Sequence, residues 1–150
     1  MILVLFGQPH SGKTTLANAL IEGKFEYTKH IDGDQLRDIF KNKDFSREGR
    51  IKNLNRASDI AHYLEKTETD VILSLVYPYK ECRDYLRSLE PETKFVYLHY
   101  TGERGREQFH VKDFELDLLE ENVWTLNTSE LSEEECIKQI YEYVGEKSTR

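Results

Sequence analysis

Residues 7–14 read GQPHSGKT, a complete G-x-x-x-x-G-K-[ST] spacing set between the apolar run MILVLF and a helix-forming stretch that holds Leu16, Ala17, Ala19 and Leu20. No other feature of the chain constrains its fold as strongly. Chance supplies such a match in on the order of one chain in a few hundred of this length, and the flanks provide the strand and the helix that the motif requires. The loop's backbone N–H groups form a nest at the positive end of the helix, an anion site made of main chain. Gly7, His10, Ser11, Gly12, Lys13, Thr14 and Thr15 are therefore the expected phosphate-binding residues. Lys13 is expected to reach the β- and γ-phosphates of a nucleotide, and the Thr14 hydroxyl to face Mg²⁺.

The rest of the chain keeps the rhythm that this opening sets. Short β-rich runs at 2–6, 27–31, 71–76, 94–100 and 123–127 alternate with amphipathic stretches at 13–21, 34–40, 47–67, 79–89 and 132–144. That alternation predicts an α/β domain built on a mostly parallel sheet. The runs 2–6 and 71–76 are almost wholly apolar, as expected of central strands covered on both faces. Ser132 and Glu135 stand at capping-box spacing and mark the start of the last helix. The 150 residues suit one domain, 1–150.

Charge and composition exclude several roles. A formal charge of −7 argues against coating a nucleic acid or an anionic membrane, so any bound anion must meet a focused site. No apolar run approaches the ~18 residues of a membrane span, and MILVLF is too short for a secretion signal, which predicts a cytoplasmic protein. Cys82 and Cys136 form no C-x-x-C pair, and the five histidines show no i,i+4 spacing, so neither a disulfide nor a zinc site is expected.

Three further stretches carry chemistry. Asp32, Gly33 and Asp34 end the second β-run, where a parallel sheet opens its ligand crevice, and Arg37 follows. Asp34 suits either of two tasks, taking a proton from an acceptor hydroxyl or capping the next helix, and Asp32 or Asp34 suits water-mediated contact with Mg²⁺. On the helix 47–67, Ile51, Leu54, Ser58 and Ala61 form a stripe flanked by Arg50 and Asn53. Arg50 offers a planar fork for phosphate or sulfate oxygens, and Phe45 a ring for stacking a purine. Arg56 points away from the stripe, towards solvent or a structural contact. Tyr77, Pro78, Tyr79 and Arg83 follow the third β-run; Pro78 and Tyr79 are read either as the start of a helix or as a substrate-lining rim.

Taken together, these pieces resemble the adenylylsulfate kinases, which act on adenosine 5′-phosphosulfate (APS). The family's D-G-D-x-x-R motif is matched by Asp32, Gly33, Asp34 and Arg37; its F-S-x-x-D-R-x-E-N-I-R-R run by Phe45, Ser46, Arg50, Asn53 and Arg56; its S-P-Y-x-x-x-R run by Pro78, Tyr79 and Arg83; and its ending by 126–136. The resemblance implies a three-layer P-loop kinase fold with a five-stranded sheet. It also implies transfer of the ATP γ-phosphoryl group to the 3′-hydroxyl of APS, with ATP and Mg²⁺ as cofactors. Asp34 and Lys13 would be catalytic, Arg37, Arg50 and Asn53 would hold the phosphosulfate, and Phe45 and Phe109 would clamp the adenine. Pro78 and Tyr79 would border that site.

The chain departs from the family at Lys52 and Asn55, at Tyr77 where the family has Ser, and across 102–115, where a shorter, less basic segment replaces the family's lid. That segment lacks an apolar period and is expected to close over the cleft, with Arg104 and Arg106 reaching the phosphates. A small kinase for another hydroxyl and a catalytically weak nucleotide-binding module are the rival readings. A homodimer is compatible with the resemblance.

Overall fold

The computed structural model describes residues 1–101, 110–117, 119, 120 and 122–145. Five strands and five helices follow one another along them: β1 (Ile2–Phe6), α1 (Lys13–Glu22), β2 (Lys29–Asp32), α2 (Gly33–Phe40), α3 (Arg47–Lys66), β3 (Val71–Ser74), α4 (Lys80–Leu89), β4 (Lys94–His99), β5 (Val123–Asn127) and α5 (Glu133–Val144), with two helices in succession after β2 and two strands in succession after α4. The sheet order is β2-β3-β1-β4-β5, and every pairing is parallel.

Alternation along β1 explains the three layers. Ile2, Val4 and Phe6 point into one core with Leu54, Ala57 and Ala61 of α3 and Cys82 and Leu86 of α4. Leu3 and Leu5 point into the other with Leu16 and Leu20 of α1 and Cys136 and Ile140 of α5. All five residues of β1 are buried because helices cover both faces, the arrangement that a continuous apolar strand requires. Cys82 and Cys136 are free and buried, one in each core. No helix of the described residues is long and apolar enough to cross a membrane.

The topology also places the functional edge. From β1 the chain builds β2 and β3 on one side and β4 and β5 on the other, so the carboxyl end of β1 is the switch point where a crevice opens. The glycine-rich loop leaves β1 at that point.

Candidate active site

The phosphate loop is held in shape by its neighbours. The Gly7 N–H donates to Val76 O just past β3 (3.2 Å), and Thr128 Oγ1 donates to Ser11 O (3.0 Å). At Gly7, with φ +150°, a Cβ would lie 2.4 Å from Leu98 O, so β1 and β4 can approach only around a glycine. Gly12 precedes α1 in the left-handed region, φ 102°, and no side chain caps the helix. The first-turn N–H groups thus face the cleft without a side-chain acceptor, as an anion site requires.

Lys13 folds over this loop. Its Nζ donates to Gly7 O (3.1 Å) and Gln8 O (2.8 Å), and burial pushes its pKa down to about 8 against the upward pull of Asp34 and Asp32. Its three donors are directed at two loop carbonyls and the Ser11 hydroxyl (3.5 Å), at the lip where phosphate oxygens would compete for the same proton-rich head.

The two aspartates divide the tasks that the sequence left open on Asp34. The residue before α2 is Asp32, and its Oδ2 accepts the Gln35 N–H at 3.1 Å. Its Oδ1 accepts the hydroxyls of Thr14 (2.9 Å) and Ser74 (3.2 Å). The capping alternative for Asp34 is therefore corrected to Asp32, because β2 runs through Asp32 and the helix begins at Gly33. Asp34 is exposed on the cleft wall, one residue inside the helix. A hydroxyl bonded to a carboxylate, with a second carboxylate two residues on, is a donor set suited to Mg²⁺, which keeps several waters and takes phosphate oxygens. No cluster of three or more His, Cys, Asp or Glu residues stands ready to hold a metal among the described residues, so an all-protein cage is not built there.

Facing this edge across one cleft of about 980 Å³ are Arg37, Phe45, Arg50 and Asn53, with Pro78, His10, Thr14 and Thr15 on its walls. Phe45 is 61% exposed, and the Arg37 guanidinium lies 4.1 Å from its ring centre, backing one face and leaving the other for a planar ligand. Arg37 Nη1 also braces the loop below the ring by donating to Asn42 O (3.2 Å) and Asp44 O (3.0 Å). Burial and the nearby Arg50 charge hold the Arg37 pKa below its ordinary value. Two guanidinium groups so placed draw an anion between them. Asn53 is 4% exposed, and its Oδ1 has no hydrogen-bond partner among the described residues, so a buried acceptor lies against the cleft wall unsatisfied.

Other expectations move. Tyr79 is not a rim residue. It is wholly buried, its hydroxyl donates to Asp113 Oδ1 (3.3 Å) and Arg47 covers its ring, because α4 begins one residue later than its composition suggests. Pro78 does line the cleft but precedes the helix N-cap. Gly7 and Ser11 shape the loop from behind. Arg83 is completely buried, donating to Glu120, Tyr77 O and Glu115 O. Arg56 stacks on Phe40, a bridge from α3 to α2.

Of the segment 102–115, residues 110–115 are described, and they are anchored. Arg104, Arg106 and Phe109 lie outside the described residues, but 110–115 is pinned, which corrects the expectation that nothing holds the segment down. Val111 is buried and exchanges two hydrogen bonds with the Gln8 side chain (2.9 and 2.7 Å), and Phe114 stacks on Phe6. Sequence reasoning missed Gln8, Ser74, Asp113 and His30. Ser74 stands inside the β-run 71–76, and only the strand register sets it beside Asp32; Gln8 carries no local signal.

Comparison with known proteins gives the family and the fold. The family model for adenylylsulphate kinase matches residues 1–110. An adenylyl-sulfate kinase of Staphylococcus carnosus is 26% identical over 98% of this chain and 85% of that protein. One from Bacillus velezensis is 36% identical over 63% of this chain, but that match spans half of the relative's length. Among solved structures, the Mycobacterium tuberculosis APS kinase CysC in complex with AMPPNP and APS superposes with a TM-score of 0.82 over 95% of this chain and 96% of that one. At 17% identity, that likeness is one of fold.

Proposed function

Since the chain belongs to the adenylylsulphate kinase family, we propose that it transfers the γ-phosphoryl group of ATP to the 3′-hydroxyl of APS, giving 3′-phosphoadenosine 5′-phosphosulfate and ADP. The observation that carries this reading is the single cleft in which the phosphate loop and Asp34 face two arginines, an open aromatic ring and an unsatisfied Asn53 oxygen.

On this reading the loop N–H groups and Lys13 hold the triphosphate, and Lys13 offsets charge that grows on the β–γ bridging oxygen as the bond breaks. Asp34 accepts the 3′-hydroxyl proton while that oxygen forms its bond to the γ-phosphorus in line with the departing ADP. Arg37 and Arg50 hold the phosphosulfate, Asn53 accepts from the nucleoside, and the adenine stacks on the face of Phe45 opposite Arg37. Thr14 and Asp32 would hold Mg²⁺, which would supply charge neutralisation at the phosphates. His10, Gly12 and Thr15 complete the nucleotide side, Arg104 and Arg106 are proposed to reach its phosphates, and Phe109 is proposed as the second face of the adenine clamp.

A coupled assay for ADP with ATP, Mg²⁺ and APS tests the reading, with adenosine and an oligonucleotide as rival acceptors. APS-dependent ADP release is expected. Turnover with a rival acceptor and none with APS would assign the cleft to a different hydroxyl, and ATP binding without turnover on any acceptor would leave a nucleotide-binding module.

A further inference from the structure

His30 and Ser74 have no part in the transfer described above, yet they form the outer wall behind the Thr14–Asp32 pair. His30 lies on the edge strand β2 and Ser74 ends β3, where the parallel register sets Asp32 directly beside Ser74. His30 Nε2 is 2.6 Å from Ser74 Oγ, and Ser74 Oγ is 3.2 Å from Asp32 Oδ1.

The direction of this chain follows from donor counting. A carboxylate oxygen only accepts, so the Ser74 and Thr14 hydroxyls both donate to Asp32 Oδ1. Ser74 has one proton, and it is directed at Asp32. The short contact with His30 therefore needs a proton on Nε2, donated to Ser74. At the far end Asp32 Oδ2 is held by the Gln35 N–H, so the carboxylate is fixed through both oxygens. With its own proton directed at Asp32, Thr14 turns its lone pairs to the cleft, the orientation a hard cation needs. Remove the Nε2–H donor, and the Ser74 hydroxyl is free to rotate towards the vacated side, which releases one of the bonds that set the carboxylate.

We infer that His30 is a positioning residue for the metal-binding edge of the cleft, acting through the Ser74 hydroxyl on Asp32 and thence on Thr14. This rests on the reading of Thr14 and Asp32 as the Mg²⁺ side of a nucleotide site, and it is independent of the acceptor. Partners of metal-holding groups commonly change metal affinity by about 10–100-fold when removed, whereas a bond that merely ties β2 to β3 would change stability alone.

The test compares ADP affinity by calorimetry in Mg²⁺ and in EDTA for the wild type, His30→Leu, His30→Gln and Ser74→Ala. His30→Leu and Ser74→Ala are expected to bind ADP as the wild type does in EDTA and to lose about tenfold of the affinity that Mg²⁺ adds. His30→Gln, whose amide N–H reaches the Nε2 position, is expected to recover most of it. If His30→Leu fails to fold, Ser74→Ala carries the same comparison. Variants that keep the full Mg²⁺ gain would overturn the inference alone. A wild type whose ADP affinity ignores Mg²⁺ would overturn both the inference and the metal reading beneath it, while APS-dependent ADP release would still report on the acceptor.

Discussion

Asp32 and Asp34 are the same residue type two positions apart, and the place where β2 ends gives them different work. Asp32 accepts three hydrogen bonds and caps α2, whereas Asp34 is left exposed on the cleft. Asp34→Asn is therefore expected to lower kcat by roughly 10²–10⁴ with the melting temperature unchanged, since an amide cannot take the acceptor's proton. A melt that drops with kcat intact would return Asp34 to a structural role. Phe45→Ala is expected to weaken APS binding by about 1–3 kcal/mol, the contribution of a base–aromatic stack, and to leave ATP affinity alone. Calorimetry on each nucleotide separates the two, and an equal loss for both would make Phe45 a packing residue. At this scale the sequence was informative about residue type and less so about position. Arg37, Phe45, Arg50 and Asn53 reach one cleft because motif spacing places Arg37 on α2, Arg50 and Asn53 on α3, and Phe45 on the loop between them. Which aspartate caps the helix turns on a one-residue boundary, and Tyr79 moved from rim to core for the same reason.

Among the elements, the hydrophobic periods foretold all five strands and all five helices, with ends shifted by a residue or two. β3 stops at Ser74 although its apolar run continues to Val76, because its neighbour β2 ends at Asp32, opposite Ser74. The stretch 110–120 was not legible, since its anchors come from far along the chain. Gln8 pairs with Val111 as another strand's backbone would, and Arg83 reaches across from α4. Glu120 is the far post of that anchorage, its side chain 2% exposed and paired with Arg83 at 2.6 Å and Arg87 at 2.9 Å. Burial alone would raise its pKa, but the bonds and charges of the two arginines outweigh burial and hold the carboxyl below its usual value. A depressed carboxyl stabilises the fold above the unfolded pKa of about 4.3, and that stability is lost as pH falls through the lower folded value. Glu120→Gln should cost about 3–5 kcal/mol at neutral pH, because it leaves the buried Arg83 charge without its partner. It should also flatten the loss of stability below about pH 4.3. Denaturant melts from pH 3 to 7 would read both; a variant with the wild-type acid limb would mean that other carboxylates carry the acid sensitivity.

For the molecule as a whole, the proposed function asks a single sheet end to serve two ligands, and the two halves of the cleft are built from different parts of the chain. The phosphate loop belongs to the β1–α1 turn and is braced by β3, β4 and Thr128, while the arginine and Phe45 side is carried by α2, α3 and the loop between them. Halves so divided should be separable by substitution. With Mg²⁺ and ADP at 100 times its Kd, mass action adds about 2.7 kcal/mol of stability. For a chain of this size, each kcal/mol is worth roughly 2–4 °C of Tm, so a rise of about 5–10 °C is expected. APS at the same multiple of its own Kd should add a comparable rise on top. Lys13→Ala is expected to abolish turnover and the ADP rise while leaving the APS rise, because its ammonium touches only the phosphate loop. Arg50→Ala should do the reverse, because its guanidinium meets Asp113 and the acceptor side of the cleft. If either substitution erased both shifts, the halves would be one cooperative site, and binding of each ligand would depend on closure around the other.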